Sequence, residues 1–397
     1  SLYGDLNGQI NALDLGMRRM AALLDEYTDA TVAEALAELR ARAAKLMAAN
    51  IADLPDGTYS AEDYLDNDGI NDVPLKIALD LTIKGDRMTL DFSRSSDACA
   101  GPVNISLSTA IASIYVATKH LFTEVPANSG VLEPLTVIIP ESSLLNVRAP
   151  KPVGGYTETI LRIIDVIFCA MAHAAPERVN GCAYGTINAL SLAGYRRDGS
   201  RWVMFSFFGG GHGGHPEGDG LNHGNAPIST ATIPPAEILE AAYPIIFTQW
   251  ALRPDSGGPG RHRGGLGAIY EIELLEEKAD VFLFGERGKY PPLGVVGGQP
   301  GALNRFSYQQ DDGEHTPPMV SKMVGIKLKK GQRLRLETPG GGGYGAPFER
   351  EPQAVARDVA LGFVSRERAA QDYGVALDPG GAVNTQKTDE LRQATGT

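Results

Sequence analysis

The residue types best suited to chemistry lie together in one glycine-rich segment, Gly209 to Asn225. It holds three of the chain's seven histidines, His212 and His215 among them, and also Asp219. Imidazole and carboxylate groups bind Zn, Mn or Fe and transfer protons, and glycine lets backbone N–H groups approach a ligand closely. A glycine loop fixes no ligand geometry, so His212, His215 and Asp219 are weak metal candidates and stronger catalytic ones. The alternative is a turn-rich loop with solvated histidines.

A second segment, Arg253 to Gly265, concentrates positive charge among glycines. Arg253, Arg261 and Arg263 each carry a guanidinium that can bind a phosphate or carboxylate in a bidentate manner. We therefore predict that these arginines bind substrate and that Asp255 joins the catalytic residues. The alternative is structural: Asp255 caps a turn, and the arginines pair with surface acids.

Two asparagines complete the candidate substrate-binding residues. Asn222 lies in the Gly209–Asn225 segment, and Asn128 lies in the turn-like stretch Pro126-Ala127-Asn128-Ser129-Gly130. An asparagine amide can orient a polar substrate, or it can bond to the backbone of its own turn. The second use is the commoner one.

Motifs for several other chemistries are absent or lack their context. Thr338 to Gly345 contains GxGxxG, but Pro347 and Pro352 follow where a dinucleotide site needs a helix. The sequence has no GxxxxGK[ST] and no GxSxG. We therefore expect no ATP cradle in this chain.

The composition limits the classes of partner. Among 397 residues, 48 acidic side chains against 36 Lys and Arg give a net charge of −12, which argues against nucleic acid. Three scattered cysteines are too few for a disulfide framework, so we expect inert thiols in a reducing cytoplasm. No apolar run reaches the roughly 18 residues of a membrane span. Glycine and proline together, at 47 and 25 of the 397 residues, exceed their usual combined share of about 12%. This excess indicates many turns and close approaches of the backbone.

Hydrophobic spacing predicts the elements that position these residues. Apolar residues three and four apart indicate helices over residues 8–27 and 31–52, which should pack as a hairpin, the second starting at a Thr31–Glu34 capping box. The same spacing indicates a helix over 157–173. Strict alternation over 75–83 and 88–92 predicts a β-hairpin about Lys84-Gly85-Asp86.

The remainder predicts mostly short strands and glycine turns. Residues 266–275 and 281–284 indicate strands, and 323–328 with 333–337 indicate a hairpin. Two short helices over 355–362 and 365–373 precede a polar tail that should fray. Elements in blocks predict an α+β fold of antiparallel sheets, packed helices and glycine-rich loops. We divide the chain into a helical hairpin and linker (1–70), an α+β segment (71–200), a β-rich segment (201–350) and terminal helices (351–397).

Several motifs, taken in order, carry a family resemblance. They are Leu65-Asp66-Asn67-Asp68-Gly69, Gly101-Pro102-Val103-Asn104, Asp255-Ser256-Gly257-Gly258-Pro259-Gly260, Arg263-Gly264-Gly265-Leu266-Gly267 and Pro339 to Gly345. With these motifs the chain resembles the hydantoinase B/oxoprolinase family, the B-type subunits of ATP-dependent cyclic-amide hydrolases. The resemblance covers almost the whole chain and corresponds to roughly the C-terminal two thirds of such a subunit.

The resemblance implies a division of labour with an A-type subunit of actin-like ATPase fold. That partner would bind ATP-Mg and activate the amide oxygen of a hydantoin, 5-oxoproline or lactam ring, and this chain would help water open the ring. Asp219 or His212 would act as base or orient a metal-bound water. Arg253, Arg261 or Arg263 would bind the substrate anion or phosphate.

Two other functions remain open at this stage. Relatives of the same type belong to carboxylases of ketones such as acetone or acetophenone, in which a C–C bond forms. A non-catalytic scaffold that positions the A-type subunit is the third possibility.

The family pattern also implies a further N-terminal stretch, with Asp- and His-rich motifs that hold a divalent metal (Zn, Mn or Fe). We therefore expect a segment outside this sequence, or a separate chain, to hold that metal, and we assign no metal ligand here. The resemblance implies a hetero-oligomer, and the composition adds the expectation of a cytoplasmic protein that binds neither nucleic acid nor membrane.

Overall fold

The computed structural model describes residues 2–229 and 232–394, and it begins with two helices, α1 (Leu2–Tyr27) and α2 (Asp29–Ala52). The predicted helical hairpin is wrong, because no residue of α1 is buried. Thr28 lies between the helices with a φ of 64°. Its hydroxyl accepts from the backbone N–H of Thr31, so Thr28 caps α2 and the predicted capping box that begins at Thr31 is wrong. Only α2 enters the core, through Ala43, Met47 and Ile51.

The structure has two bodies, each built around its own large hydrophobic core, and the first contains a four-stranded sheet. Its order is β1 (Gly57–Leu65), β2 (Leu75–Lys84), β3 (Arg87–Asp91) and β4 (Leu135–Ile138). The predicted β2–β3 hairpin is confirmed, with Ile83 opposite Met88, whereas β4 runs parallel to β3. Helices α3 (Leu107–Leu121) and α4 (Tyr156–Met171), the latter as predicted, share one hydrophobic core with this sheet and α2.

Two further sheets share the second large core. In chain order the strands are β5 (Ala189–Tyr195), β6 (Arg201–Phe207), β7 (Ile245–Leu252), β8 (Ala268–Leu274), β9 (Lys278–Phe284), β10 (Arg305–Gln310), β11 (Gly313–His315), β12 (Lys322–Lys329) and β13 (Arg333–Glu337). One sheet has the order β12-β9-β5-β6 and the other β11-β10-β13-β8-β7. The predicted 323–337 hairpin is wrong, because β12 pairs with β9 and β13 pairs with β8 and β10. The turn at Gly331 therefore connects the two sheets.

The remaining elements are short helices and turns. Helix α5 (Ala236–Ala242) precedes β7, and α6 (Pro352–Ala360), α7 (Arg366–Tyr373) and α8 (Thr385–Ala394) end the described chain. Single 3-10 turns cover Ser129–Leu132, Pro176–Arg178 and Pro347–Glu349. The tail expected to fray instead forms α8 as far as residue 394, because the Thr388 hydroxyl accepts from the Ala376 N–H and Arg392 donates to the Arg350 carbonyl. Residues 395–397 lie outside the described residues.

Glycine segments pack backbone to backbone between the two bodies. Backbone N–H groups of Gly211, Gly214 and Gly341 donate to the carbonyls of Pro339, Gly342 and Gly265 respectively. A Cβ at Gly213 would lie 1.7 Å from the carbonyl oxygen of Gly181. Side chains are excluded at such distances, which explains the high glycine content. We call this interleaved set of residues 181, 209–214, 257–265 and 340–345 the glycine core.

The predicted class is confirmed: the chain is α+β, its sheets are antiparallel except for the β3–β4 pair, and eight α-helices lie among the described residues.

Candidate functional site

A cavity of about 370 Å³ lies where α3 and α4 meet the glycine core. Its inner wall includes the buried Asp165 and the half-buried His212, and its mouth is formed by the exposed His120, Asn180 and Leu221. The rest of the lining is formed by apolar and small residues and by one amide and one hydroxyl: Ile164, Phe168, Gly181, Ala183, Gly213, Asn225, Ala226, Pro227 and Ser229. The cavity therefore combines imidazoles, amides and a carboxylate with an apolar wall, as small-molecule sites do.

His212 is held by the glycine core in a single tautomer. Its Nε2 lies 2.5 Å from the carbonyl oxygen of Asn225, and its ring packs near that of Tyr184. A carbonyl only accepts, so Nε2 carries the proton and Nδ1 keeps its lone pair. Burial, together with the nearby charge of His120, lowers the pKa of His212 below its ordinary value despite the bond to Asn225. At neutral pH His212 is therefore a neutral imidazole that can accept a proton at Nδ1.

His120 supplies a second imidazole from the last turn of α3. Its Nδ1 donates to the carbonyl of Val116 over 2.8 Å, and its ring contacts Phe168 edge-on. The donation from Nδ1 leaves Nε2 as the nitrogen available to a ligand. The cavity thus holds two imidazoles, each oriented by a backbone carbonyl.

Behind the cavity, one face of α4 contributes a buried ionic cluster. Arg162 donates to Asp165 over 2.8 Å, and Arg287 bridges Asp165 and Asp63 over 2.5 and 2.8 Å. The second arm of Arg162 reaches the Gly185 carbonyl over 2.7 Å. These contacts fix the carboxylate of Asp165 in the cavity wall.

Two further buried acids, Glu158 and Glu286, lie beside this cluster. Burial, reinforced by the charge of Glu286, raises the pKa of Glu158 to about 7. Burial also raises the pKa of Glu286 to about 6, although Lys322 pairs with it and opposes the shift. Glu158 accepts from the Ile187 N–H over 3.2 Å through one oxygen, while the other has no hydrogen-bond partner among the described residues.

The raised pKa of Glu158 predicts a pH-dependent stability. A carboxyl whose folded-state pKa lies above its unfolded value contributes stability below the unfolded pKa, and this is lost as the pH rises through about 7. The Glu158→Gln variant does not titrate there, so from about pH 5 to about pH 8 its free energy of unfolding should gain roughly 1 to 3 kcal/mol relative to wild type. Urea unfolding at both pH values measures this change. Glu349→Gln, at an exposed position, is the control, and a parallel pH response of Glu158→Gln and wild type would contradict the prediction.

Asp219 lies outside the cavity and holds the C-terminal helices to the glycine core. Its two oxygens accept from Arg350 over 2.6 and 2.7 Å, and the first also accepts from the Arg263 N–H over 2.7 Å. Arg350 also donates to Asp358 of α6 over 2.7 Å. Burial alone would raise the pKa of Asp219, but the bound Arg350 guanidinium lowers it below its usual range. The geometry therefore gives Asp219 a structural task.

Replacing Asp219 by asparagine is expected to lower the free energy of unfolding by about 1 to 3 kcal/mol, since Arg350 loses one of its two charged acceptors and keeps only Asp358. Because the folded-state pKa of Asp219 is lowered, its carboxylate stabilises the wild-type protein at pH values above the unfolded-state pKa. This stabilisation is lost as the pH falls through the folded-state pKa. Denaturant titrations at neutral and acidic pH test both statements. Glu217→Gln, exposed in the same loop, is the control. A fully stable Asp219→Asn protein would contradict the structural task.

Most of the arginine and asparagine candidates bond to the protein itself. Arg253 is buried and donates to the Leu303, Glu337 and Thr338 carbonyls. Arg263 is also buried, donates to the Gly264 carbonyl and lies 3.5 Å from Asp358. Asn222 accepts from the Leu266 N–H over 2.9 Å. None of these three side chains lines the cavity.

The other candidates are placed at separate points. Arg261 is exposed above the Tyr344 ring, and Asp255 accepts from the Ser365 N–H at the start of α7. His215 contacts the exposed Glu217 over 3.1 Å. Asn128 caps a 3-10 turn and donates to the Leu39 carbonyl of α2. Of the predicted site residues, only His212 lines the cavity.

The three weak metal candidates do not form a ligand set. Asp219 is bound by Arg350, His212 by the Asn225 carbonyl and His215 by Glu217. Among the residues that the structure describes, no three His, Cys, Asp or Glu side chains group to hold a metal ion. These residues therefore do not fit a divalent metal, and we derive no step through one.

Sequence reasoning missed four residues around the cavity. His120 carried no signal, since it is a single histidine in a stretch for which we predicted no element. Glu158, Arg162 and Asp165 did carry one: they are spaced four and three apart on α4, opposite its apolar stripe. A charged face on a helix this hydrophobic indicates buried ion pairs as readily as a solvated surface.

Comparisons with solved structures define the fold class. The chain superposes on the ATP-dependent caprolactamase from Pseudomonas jessenii with a TM-score of 0.87 at 28% identity, covering 98% of this chain and 69% of that one. A nucleotide-free acetone carboxylase structure shares the fold, with a TM-score of 0.77 at 20% identity over 90% of this chain and 54% of that chain.

The sequence comparisons show the family. The hydantoinase B/oxoprolinase model matches residues 1–347, and this chain belongs to that family. It is 30% identical to the beta subunit of the caprolactamase of Pseudomonas jessenii over 98% of this chain and 69% of that protein. It is 29% identical to a protein provisionally named as the B-type subunit of a D-/L-hydantoinase of Pseudomonas sp. (strain NS671), over 99% and 68%. The 5-oxoprolinase of Dictyostelium discoideum is 28% identical over 86% of this chain and 26% of its own length.

Within the described ranges, no helix has the length and apolar character needed to cross a bilayer.

Proposed function

We propose that this chain is a subunit of an ATP-dependent hydrolase that opens a cyclic amide, a hydantoin, 5-oxoproline or lactam ring. The observation that supports this most strongly is the likeness to the ATP-dependent caprolactamase along 98% of the chain. Two relatives are themselves named as the B-type or beta subunits of their enzymes, which supports assembly with an A-type ATPase subunit that would bind ATP-Mg.

The chemistry requires a base near the carbonyl carbon. A ring amide is a poor electrophile, and transfer of phosphate from ATP to its oxygen makes the carbon more electrophilic. Water then attacks the carbon, a base takes its proton, and the C–N bond breaks as a proton goes to the departing nitrogen. A second water hydrolyses the resulting acyl phosphate to the acid and phosphate. His212 suits the role of this base, because its neutral ring keeps a lone pair on Nδ1 and the residue lines the cavity.

The other lining residues suit a small ring with one polar side. Phe168 and Leu221 provide apolar surface for ring methylene groups, while the exposed Asn180 provides an amide for the polar side of the ring. The proton that His212 takes from the water can pass on to the departing nitrogen, and the Nε2 of His120 at the mouth can accept a hydrogen bond from a ring N–H. A volume of about 370 Å³ accommodates such a ring.

Product analysis of the assembled complex tests this function. The complex is incubated with ATP, labelled bicarbonate and a lactam or hydantoin, and in a parallel reaction with acetone in place of the cyclic amide. The proposal expects ATP-dependent formation of the ring-opened acid without label. Label in a stable carboxylic acid would instead show a carboxylase, and product formation by the partner subunit alone would show a scaffold. Either result overturns the proposal.

A further inference from the structure

Two of the three cysteines lie in contact. The sulfurs of Cys169 and Cys182 are 3.6 Å apart, although the residues are 13 positions apart in the sequence. Both are free thiols. Neither takes part in the proposed ring opening.

Hydrogen bonds between α4 and the chain segment that follows it hold this contact in place. After α4 the chain returns along the helix, so that Arg162 donates to the Gly185 carbonyl and the Ile187 N–H donates to Glu158. The contact between the two cysteines is the next one along α4, since Cys169 lies one helical turn beyond Asp165. Cys182 is also fixed through its backbone, which accepts from the Gly342 N–H in the glycine core.

Small oxidants can reach one of the two sulfurs. Cys169 is half-buried and lines a second cavity, of about 590 Å³, together with residues of β1 and of the segment 293–297. Cys182 is fully buried behind it. The hydrogen bond with Cys169, together with burial, raises the pKa of the Cys182 thiol well above its ordinary value. Cys169 is therefore the sulfur that reacts first.

We propose that Cys169 and Cys182 form a reversible disulfide when the protein meets a peroxide. Hydrogen peroxide oxidises the Cys169 thiol to a sulfenic acid and is itself reduced to water. The Cys182 sulfur then attacks the Cys169 sulfur, the S–O bond breaks, and the hydroxyl leaves with the Cys182 proton as a second water. Two thiols and one peroxide thus give one disulfide and two waters, and a dithiol reductant reverses the reaction.

The cross-link would bear on the His212 cavity. Gly181 and Ala183, which flank Cys182, line that cavity, and so does Asp165, one helical turn from Cys169. A bond between the two sulfurs ties α4 to this segment and restricts their relative motion. We expect slower ring opening in the oxidised protein. This consequence rests on the proposed function, whereas the disulfide itself does not.

Peroxide treatment of the intact protein tests the proposal. The number of titratable thiols in the denatured chain should fall from three to one, and dithiothreitol should restore all of them. Peptide mapping should find Cys169 joined to Cys182, and the thermal midpoint should rise because the cross-link restricts the unfolded chain. Cys99→Ser is the matched control and should still form the linkage. Cys169→Ser and Cys182→Ala should each abolish it.

Two results would overturn the proposal. One is sulfinic acid at Cys169 without the linkage. The other is a thiol count that stays at three under peroxide that oxidises free glutathione. A linkage that forms without slowing ring opening would refute only the effect on the cavity. A complex that opens no ring, yet forms the linkage, would refute the proposed function and leave the disulfide standing.

Discussion

Replacing Gly213 by alanine is expected to prevent the protein from folding. A Cβ at this position would lie 1.7 Å from the Gly181 carbonyl oxygen and 2.3 Å from its carbon, and both are backbone atoms. Neither can move, because the Gly181 N–H donates to Gly214 and the Gly214 N–H donates to Gly342. We expect a loss of about 4 kcal/mol or more in the free energy of unfolding, or an insoluble product. Chemical denaturation monitored by circular dichroism measures it.

The matched control for this prediction is Gly154→Ala. A Cβ at Gly154 would meet nothing within 4 Å, and the residue is exposed. This variant should keep the wild-type free energy of unfolding to within about 0.5 kcal/mol. If Gly213→Ala were as stable as Gly154→Ala, the close packing of the glycine core would be refuted.

The second large effect is expected for Arg287→Met. Arg287 is 1% exposed, and its guanidinium bridges Asp63 and Asp165 over 2.8 and 2.5 Å. Methionine fills much of the volume but leaves two carboxylates buried against Arg162 alone. Breaking a buried ion pair by removing one partner costs about 3 to 5 kcal/mol. Urea unfolding measures this loss, which should shrink in acid as the two carboxylates become protonated.

An exposed pair provides the control for Arg287→Met. Arg148 contacts Glu141 over 3.1 Å, with side chains 82% and 83% exposed. Arg148→Met should change the free energy of unfolding by less than about 1 kcal/mol, since exposed ion pairs contribute little. Equal effects of Arg148→Met and Arg287→Met would contradict the description of the cluster as buried and paired.

Local patterns predicted the elements more accurately than their partners. The alternation at 75–83 and 88–92 correctly predicted β2 and β3. A hairpin that buries one face has both strands and its tight turn within about 20 consecutive residues, so a local pattern is enough to specify it. The 333–337 strand was also found, but its neighbours are β8 and β10 rather than β12. A short turn after a strand can lead back into the same sheet or across to a facing one. Side-chain alternation is the same in both cases.

The helix pair at the N-terminus shows the same limit. The spacing of α1 correctly predicted a helix, yet its apolar residues stay exposed. Amphipathic spacing says that a helix has a face to bury, but not what covers it. The backbone turn at Thr28, with its positive φ, decides the direction of α1.

The candidate site was predictable only in part. Glycine enrichment and the histidines identified the segment that places His212, since glycine runs indicate close backbone approach. The partner of each glycine run lies far away in sequence: Gly213 packs on Gly181, and Gly341 on His212. His120 comes from α3, and only the tertiary fold brings it to the same cavity. Asp219 was predicted to be catalytic, whereas its contact with Arg350 became visible only in three dimensions.

The most direct test of the account is the rate of ring opening by the assembled complex carrying His212→Gln. Glutamine retains a donor for the Asn225 carbonyl but offers no basic nitrogen. We expect kcat to fall by about 100-fold or more, with the thermal midpoint preserved. His315→Gln, on β11 outside the cavity, should keep the wild-type kcat. A folded His212→Gln complex that opens the ring at the wild-type rate would contradict the claim that this cavity is where water attacks.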